Sequence, residues 1–427
     1  MPHVPVVYIR VGVFLFMLHR IKTFGHTTFS SLNIRNYRLY LTGQGISLTG
    51  TWMQTIGQSW LVLELTGSGT ALGFVTALQY LPILILAPLG GVVAERFSKR
   101  NILLATQTIA GMLALILGAL VVTATAQLWM VYILAGILGI VNAIDNPTRQ
   151  SFIFEMAGSD NIRNAVTLHS IEVNLARIIG PAIAAILIAG AGLAFCFFAN
   201  AASYIAVLVC LYLMNPKHLH AGEKLERAKG QVREGFRYVR DTPILRDLLI
   251  MMAIVGTFVY EFQISLPLMA KYVFHGNAGD YALLTSAMGV GSVIGGIATA
   301  GRRKTDPQGL IKMILILGIA MIGVAISPSL PVAVAGMVIV GIFSICFTSL
   351  GNSILQLESA PNMRSRVMAL WSVAFLGSTP IGGPVIGWIG EHLNPRWGLG
   401  VGGLSAIIAG IFGIIAMKKY QQQKIST

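Results

Sequence analysis

The sequence predicts an all-α integral membrane protein of twelve transmembrane helices, arranged as two six-helix pseudo-repeats. Three observations carry that prediction. Only 11% of the 427 residues are charged and 55% are hydrophobic, whereas a soluble domain carries about 25% charged residues. Apolar stretches of roughly 20 residues, the length that crosses the hydrocarbon core, recur along the whole chain. Features of the first half also return in the second at one fixed offset.

Residues 1–36 read as an N-terminal cytoplasmic or interfacial extension. Val4–Leu18 is apolar but short, is broken by Arg10 and has no small-residue cleavage site, so an interfacial helix fits better than a secretory signal. A chain start at Met17 fits equally well. The N-terminal six-helix bundle, residues 37–214, holds spans centred near Gly50, Tyr80, Met112, Leu138, Ala176 and Ser203. Residues 215–243, rich in Lys, Arg and Glu, read as a cytoplasmic linker that is partly helical. The C-terminal bundle, residues 244–417, holds spans centred near Val259, Ser292, Gly318, Gly341, Phe375 and Ala406, and residues 418–427 form a cytoplasmic tail. Gly and Pro within these runs are compatible with membrane helices.

The net charge of +14 raises the question of nucleic acid, and its distribution answers it. With the N-terminus placed inside, 27 of the 30 Lys and Arg fall in inside segments, as the positive-inside rule requires. Lys271 and Arg396 alone remain in outside segments, with Arg177 within a span. An odd number of crossings destroys this asymmetry. Trp60, Trp129, Trp388 and Trp397 fall near outer ends, as an aromatic belt does. No nucleic-acid-binding motif is present, and none is expected as a partner. Cys196, Cys210 and Cys346 lie in apolar runs without CxxC spacing, so they read as small core residues, with no metal or disulfide role.

The internal repeat is specific. Glu155 and Glu358, Arg163 and Arg366, and Gly180-Pro181 and Gly383-Pro384 are each separated by 203 positions. Parallel six-helix repeats enclose a central cavity at their interface, and rocking one half against the other exposes it to one side at a time.

The loop after the second span reads Gly91-Val92-Val93-Ala94-Glu95-Arg96-Phe97-Ser98-Lys99-Arg100. It resembles the G-x-x-x-D-R-x-G-R-R loop of the major facilitator superfamily, with Glu95 in place of Asp, Lys99 in place of Arg and Ser98 in place of Gly. The counterpart at Gly295–Lys304 keeps glycines and Arg302-Arg303-Lys304 but has no acid. Ala176-Arg177-Ile178-Ile179-Gly180-Pro181 resembles the Gly-Pro motif of superfamily exporters, and Gly382-Gly383-Pro384 supplies a second copy. Asn33–Tyr40, Gly50–Gln54 and Asp145-Asn146-Pro147-Thr148-Arg149-Gln150 narrow the resemblance to the branch of bacterial enterobactin exporters and transmembrane secretion effectors. It covers roughly residues 30–420 and implies the major facilitator fold.

That resemblance implies a gating role for Gly91, Glu95, Arg96, Lys99, Arg100 and Asp145. A helix N-terminus favours a nearby carboxylate, so Glu95 is expected against the start of the eleventh span, near Met363–Arg366. The basic residues of the loop are expected to pair with Asp145, or to act as a plain positive-inside anchor. Gly180, Pro181, Gly383 and Pro384 are expected to bend and closely pack their helices.

Ionisable groups inside spans are functional candidates, because charge there is costly. Glu261 is the first candidate for proton coupling and Glu172 the second. Arg177 lies five residues beyond Glu172, about 140° round the helix, so the two are not expected to pair. Gln54 and Gln58 share a helix face and are candidates to line the cavity. Tyr260, Phe262, Asn352 and Gln356 are weaker candidates, and His169 reads as a packing residue. For each of these, hydrogen-bonded packing is the competing reading.

No Walker loop, HExxH motif or nucleophile elbow occurs in the sequence. The chain is therefore expected to be no enzyme, to need no cofactor and to draw its energy from an ion gradient. The expected function is proton-coupled secondary export of small organic molecules (a siderophore, a drug or an amphipathic metabolite). The expected setting is the bacterial inner membrane, with both termini cytoplasmic, as a monomer whose partners are substrate, protons and the lipid bilayer. An uptake carrier of the same fold and a non-transporting membrane protein are the alternatives.

Overall fold

The computed structural model describes residues 30–220, 231–300, 306–360 and 363–426. Among them there are helices and no strands. The helices are α1 (Arg35–Thr66), α2 (Gly69–Arg96) and α3 (Lys99–Val122), then a helical run over Leu128–Gly190. That run breaks at Gly158, whose φ of 68° and ψ of 175° are not helical. We call its two parts α4 and α5. They are followed by α6 (Ala194–Leu213) and α7 (Gln231–Asp241). The seventh span is interrupted: α8 (Pro243–Phe258) and α9 (Phe262–Leu268) flank a break, and a π-helical turn over Met269–Val273 follows. Then come α10 (Ala278–Ala300), α11 (Pro307–Ala325) and α12 (Leu330–Glu358). The eleventh span is α13 (Arg364–Leu376) joined to α14 (Thr379–His392), and α15 (Pro395–Ser426) is the last.

Ten segments of the described residues are long and apolar enough to cross a membrane. One of them is the α4–α5 run, which Gly158 divides into two crossings. The other crossing is α1, 32 residues long, whose buried Asn36, Gln44, Ser47, Gln54, Gln58 and Ser59 lower its hydropathy. The described residues therefore form twelve crossings. Buried polar residues of α1 face into the bundle, where Gln54 accepts from Asn200 of α6 and Asn36 bonds the backbone of Asn215.

Local chemistry sets the turns. Gly67 ends α1 in the left-handed region at φ 66°, and Ser68 starts α2 with its hydroxyl accepting the Ala71 amide at 3.1 Å. Asp306 caps α11 by accepting from the Gln308 amide at 3.0 Å, with Pro307 at the first helical position. Pro there loses no hydrogen bond.

Closely packed helix pairs within each half include α1 with α5 and α6, α2 with α4, and α3 with α6, and on the other side α10 with α12 and α11 with α12 and α15. Two seams join the halves: α2 against α14, and α5 against α10. Loops at residues 97–98, Gly158 and the linker lie at one end of the bundle, the linker end. The turns at 67–68, 123–127 and 393–394 lie at the other, the far end.

The linker divides its contacts between the halves. The His220 amide donates to the Glu155 carbonyl at 2.7 Å on the N-terminal side. Glu234 of α7 pairs with Arg366 at 2.8 Å, and the Tyr238 hydroxyl accepts from the Ala360 amide at 3.1 Å, both on the C-terminal side. Residues 1–29 and 301–305, which include most of the N-terminal extension and Arg302-Arg303-Lys304, lie outside the described residues.

Candidate functional site

A cavity of about 240 Å³ runs through the N-terminal half, lined by α1, α2, α3, α4 and α6. Along α1 it extends from Ser47 to Ser59, about 18 Å at the rise of an α-helix. Gln54 and Gln58 line it, as do Gln79, Gln107, Asn142, Asn146 and Asn200. Hydroxyls come from Ser47, Thr51, Thr55, Ser59 and Thr76, and rings from Tyr80 and Tyr204. Among the described residues, the C-terminal half contributes Gln263 alone to this lining. Periodicity explains the α1 wall: residues 47, 51, 54, 55 and 58 recur at three- and four-residue steps and share one face.

The polar walls are cross-braced. Asn200 donates to the Gln54 side-chain oxygen at 2.6 Å, and the Ser203 hydroxyl donates to the Asn200 side chain at 3.1 Å. The Gln107 amide nitrogen donates to Asp145 at 2.8 Å, while the Gln107 side-chain oxygen is buried without a partner. Arg149, at the linker end of the cavity, is the one charged lining residue among the described residues.

Asp145 sits behind that wall, 1% exposed. Its carboxylate accepts from Thr106 at 2.7 Å, from Gln107, and from both Nε (3.0 Å) and Nη2 of Arg149. This corrects the expectation that the basic loop pairs with Asp145. Arg149 is one helical turn from Asp145, so the ion pair forms within α4 and at a depth the loop does not reach. Lys99, at the start of α3, instead pairs with Glu155 at 2.5 Å near the end of α4. Arg100 donates to the Leu211 and Tyr212 carbonyls at 2.7 and 3.1 Å, on the end of α6. Glu95 and Arg96 lie exposed at the end of α2, and Gly91 lies within that helix. The sequence held the signal for Arg149: an acid and a base at i and i+4 on a predicted helix.

Glu261 occupies the break between α8 and α9. Its carbonyl starts α9 by accepting from Ile264 and Ser265 at 3.1 and 3.0 Å. Pro267 adds to the irregularity, since it has no amide to donate to Gln263. The Glu261 side chain is 3% exposed and Oε1 has no partner. It turns from the cavity onto the double glycine of α14: a Cβ on Gly382 would lie 3.0 Å from Oε1, and one on Gly383 3.7 Å from Oε2. Beside it, the Tyr260 hydroxyl donates to the Ser344 carbonyl at 2.9 Å and bonds the Ser344 hydroxyl at 2.6 Å. The Tyr260, Phe375 and Trp371 rings follow one another at 4.7 and 5.4 Å.

Glu172 and Arg177 do not pair. Glu172 Oε2 bonds His169 Nδ1 at 3.0 Å, and Oε1 is buried without a partner. His169 therefore does more than pack. Arg177 lies over the Trp52 ring at 5.1 Å, with its Nε unpartnered. Neither Glu172 nor Arg177 nor Glu261 lines the cavity. Asn352 and Gln356 bond each other at 2.6 Å on α12.

The Gly-Pro motifs lie at close helix crossings. A Cβ on Gly180 would meet the Thr49 carbonyl at 2.8 Å, where α5 crosses α1. On the opposing seam, a Cβ on Gly73 would lie 2.4 Å from the Gly383 carbonyl, and one on Gly387 2.2 Å from the Gly69 carbonyl. Gly69 and Gly73 face Gly383 and Gly387, a small-xxx-small pair that lets two backbones touch. Polar contacts extend the seam to the far end. Glu391 accepts from the Ser68 hydroxyl at 2.7 Å and from the Thr70 amide at 2.9 Å. Lys271 donates to the Leu63 carbonyl at 2.7 Å, and the Tyr272 hydroxyl to the Gly67 carbonyl at 2.8 Å. These link the first interhelical turn to spans 7 and 11.

Comparison with known proteins bears on family and fold. Residues 26–426 match the family described as transmembrane secretion effector. The chain is 26% identical over 322 residues to the staphyloferrin A transporter of Staphylococcus aureus, covering 72% of this chain and 78% of that protein. It is 23% identical over 334 residues to the enterobactin exporter EntS of Salmonella typhimurium, covering 77% and 79%. Among solved structures, the nucleoside transporter NupG superposes with a TM-score of 0.73 at 14% identity, covering 90% of this chain and 99% of that one, which establishes the fold.

Proposed function

The chain belongs to the transmembrane secretion effector family of the major facilitator superfamily, a family of membrane transporters, and from that premise we propose that it exports small organic molecules in exchange for protons by alternating access. In this reading it lies in a bacterial inner membrane with linker and termini cytoplasmic, and functions as a monomer. The observation that carries the reading is a polar cavity in one half combined with a seam whose polar contacts, Glu391 with Ser68 and Thr70 and Lys271 with Leu63, hold the two halves together at the far end. With the linker end cytoplasmic, the seam is the outer gate in its closed position and the cavity takes cargo from inside.

Glu261 is the proton carrier of this scheme. A carboxylate with an unpartnered oxygen is costly inside a bilayer, and a proton removes that cost. The carboxyl rests on the glycines that form the seam, so loading and unloading it acts where the halves part. Glu95, Arg96 and the loop they belong to act as the inner gate.

The test is a pH-gradient assay in everted membrane vesicles whose interior is acidified by respiration. Enterobactin, the cargo named for one relative, is expected to dissipate part of the gradient in vesicles carrying the wild-type chain, and none in vesicles carrying Glu261→Gln. Full dissipation by the variant refutes the role of Glu261. No dissipation by the wild type with this cargo refutes the proton-coupled export of it, and cargo movement only into right-side-out vesicles identifies an uptake carrier.

A further inference from the structure

We propose that a second pocket, between α8, α11 and α15, binds one phospholipid of the leaflet at the linker end, with a zwitterionic headgroup whose amine donates hydrogen bonds. This site is separate from the polar cavity of the N-terminal half, and it stands whether or not the chain exports.

The pocket holds about 480 Å³, within the roughly 300–1,000 Å³ of small-molecule sites. Helices α8 and α11 begin at it and α15 ends near it. On α8 its lining runs from Pro243 to Met251, and on α15 from Lys419 back to Gly413, depths of about 12 and 9 Å at the rise of an α-helix. Polarity changes along that depth. Arg246, Asp247, Asp306 and Lys419 stand at the mouth, while Met251, Ile311 and Ile354, all buried, form the base. The base is closed where three helices meet: a Cβ on Gly413 would lie 3.0 Å from both Ile311 Cγ1 and Met251 Sδ. A bilayer changes in the same sense, from a headgroup layer about 5–7 Å deep to hydrocarbon. A soluble polar ligand leaves such a base unfilled, whereas an acyl chain fills it with dispersion contacts.

The headgroup class follows from the charges at the mouth, which are only loosely paired. Arg246 bonds Asp247 Oδ1 at 2.9 Å through Nε alone, and its side chain is 47% exposed. An exposed pair of this kind holds weakly. Asp306 uses Oδ1 to accept the Gln308 amide. Lys419 is exposed and has no hydrogen bond or ion pair among the described residues. Two cations and two carboxylates at one mouth match a phosphate and an ammonium together, through charge-assisted hydrogen bonds. The phosphate falls to Arg246 and Lys419, as in basic headgroup pockets between membrane helices, and the ammonium to Asp247 and Asp306. An anionic headgroup without an amine leaves both carboxylates unmatched. A trimethylated amine has no N–H to give them.

The experiment is native mass spectrometry of the purified full-length protein, delipidated in detergent and titrated with dioleoyl phosphatidylethanolamine, phosphatidylcholine or phosphatidylglycerol. Wild type is expected to retain one phosphatidylethanolamine at a concentration about ten-fold below that needed for either other lipid, the scale of one charge-assisted hydrogen bond. Ala416→Trp, which puts a ring into the pocket from α15, is expected to lose that preference. Asp247→Asn with Asp306→Asn leaves the two cations without acids and is expected to gain phosphatidylglycerol binding. Asn keeps the cap of α11, and misfolding does not imitate a gain. Equal retention of the three lipids by wild type overturns the proposal, as does an unchanged preference in either variant. Displacement of the bound lipid by an equal concentration of glycerophosphoethanolamine, which has the headgroup and no chains, assigns the pocket to a soluble ligand and overturns it too.

Discussion

Glu261 is held in place by three local facts: the break after Phe258, the Pro267 that follows, and the glycines of α14 against which its carboxyl rests. Gln keeps the shape and hydrogen bonds of the protonated form but never ionises, so Glu261→Gln is expected to bind cargo normally while losing proton-driven transport. At the same scale, replacing Asp145 by Leu leaves the Arg149 guanidinium without its carboxylate in a buried wall. The expected loss is about 3–5 kcal/mol of stability, the range for removing one partner of a buried ion pair, read as a lowered unfolding temperature in detergent. The ionisable candidates were legible in the sequence because charges are rare within apolar runs. Their partners were less so. The loop motif points to a partner for Asp145 some 45 residues away, while its real partner stands at i+4. Composition reports that a charge needs a partner, and only the helical spacing, together with depth in the bundle, reports which one.

Helix α2 meets α14 through glycines on both sides, and that contact depends on the absence of side chains. Gly73→Ala puts a Cβ 2.4 Å from the Gly383 carbonyl, closer than packed atoms come. An overpacking cost of about 1–3 kcal/mol is expected, with a lowered unfolding temperature and reduced transport. Gly136→Ala is the control, since nothing lies within 4 Å of its Cβ position, and unfolding is expected to stay unchanged. The 203-residue offset made the Gly-Pro motifs visible in the sequence as a repeated device. It did not reveal that the first copy crosses α1 within its own half whereas the second crosses α2 in the opposite half. Small-residue spacing tells that a helix can approach another closely, and is silent on which neighbour the topology supplies. The interruption of the seventh span was similarly hidden, because Val259-Tyr260-Glu261 contains neither Gly nor Pro.

The two halves fold from one repeated plan, and twelve crossings were legible because hydropathy and the positive-inside bias report on the bilayer, the dominant constraint on such a chain. The cavity was legible only in part: Gln54 and Gln58 stood out on one helix face, while the walls from α3, α4 and α6 needed the three-dimensional arrangement. Whole-molecule motion gives its own prediction. Ser68 and Glu391 are in hydrogen-bond contact across the far-end seam. In a chain freed of Cys196, Cys210 and Cys346, Ser68→Cys with Glu391→Cys is expected to join through a short thiol-reactive cross-linker, to stop transport, and to leave cargo binding from the linker side intact. Unchanged transport after complete cross-linking contradicts a rocking motion through this seam.

The most direct measurement of proton-driven export uses cells that lack their own exporters, loaded with enterobactin and carrying either this chain or an empty vector. Release into the medium is followed with and without a protonophore. The account predicts release that depends on the chain and is abolished by the protonophore. Release that continues at the same rate after the proton gradient has collapsed would contradict it.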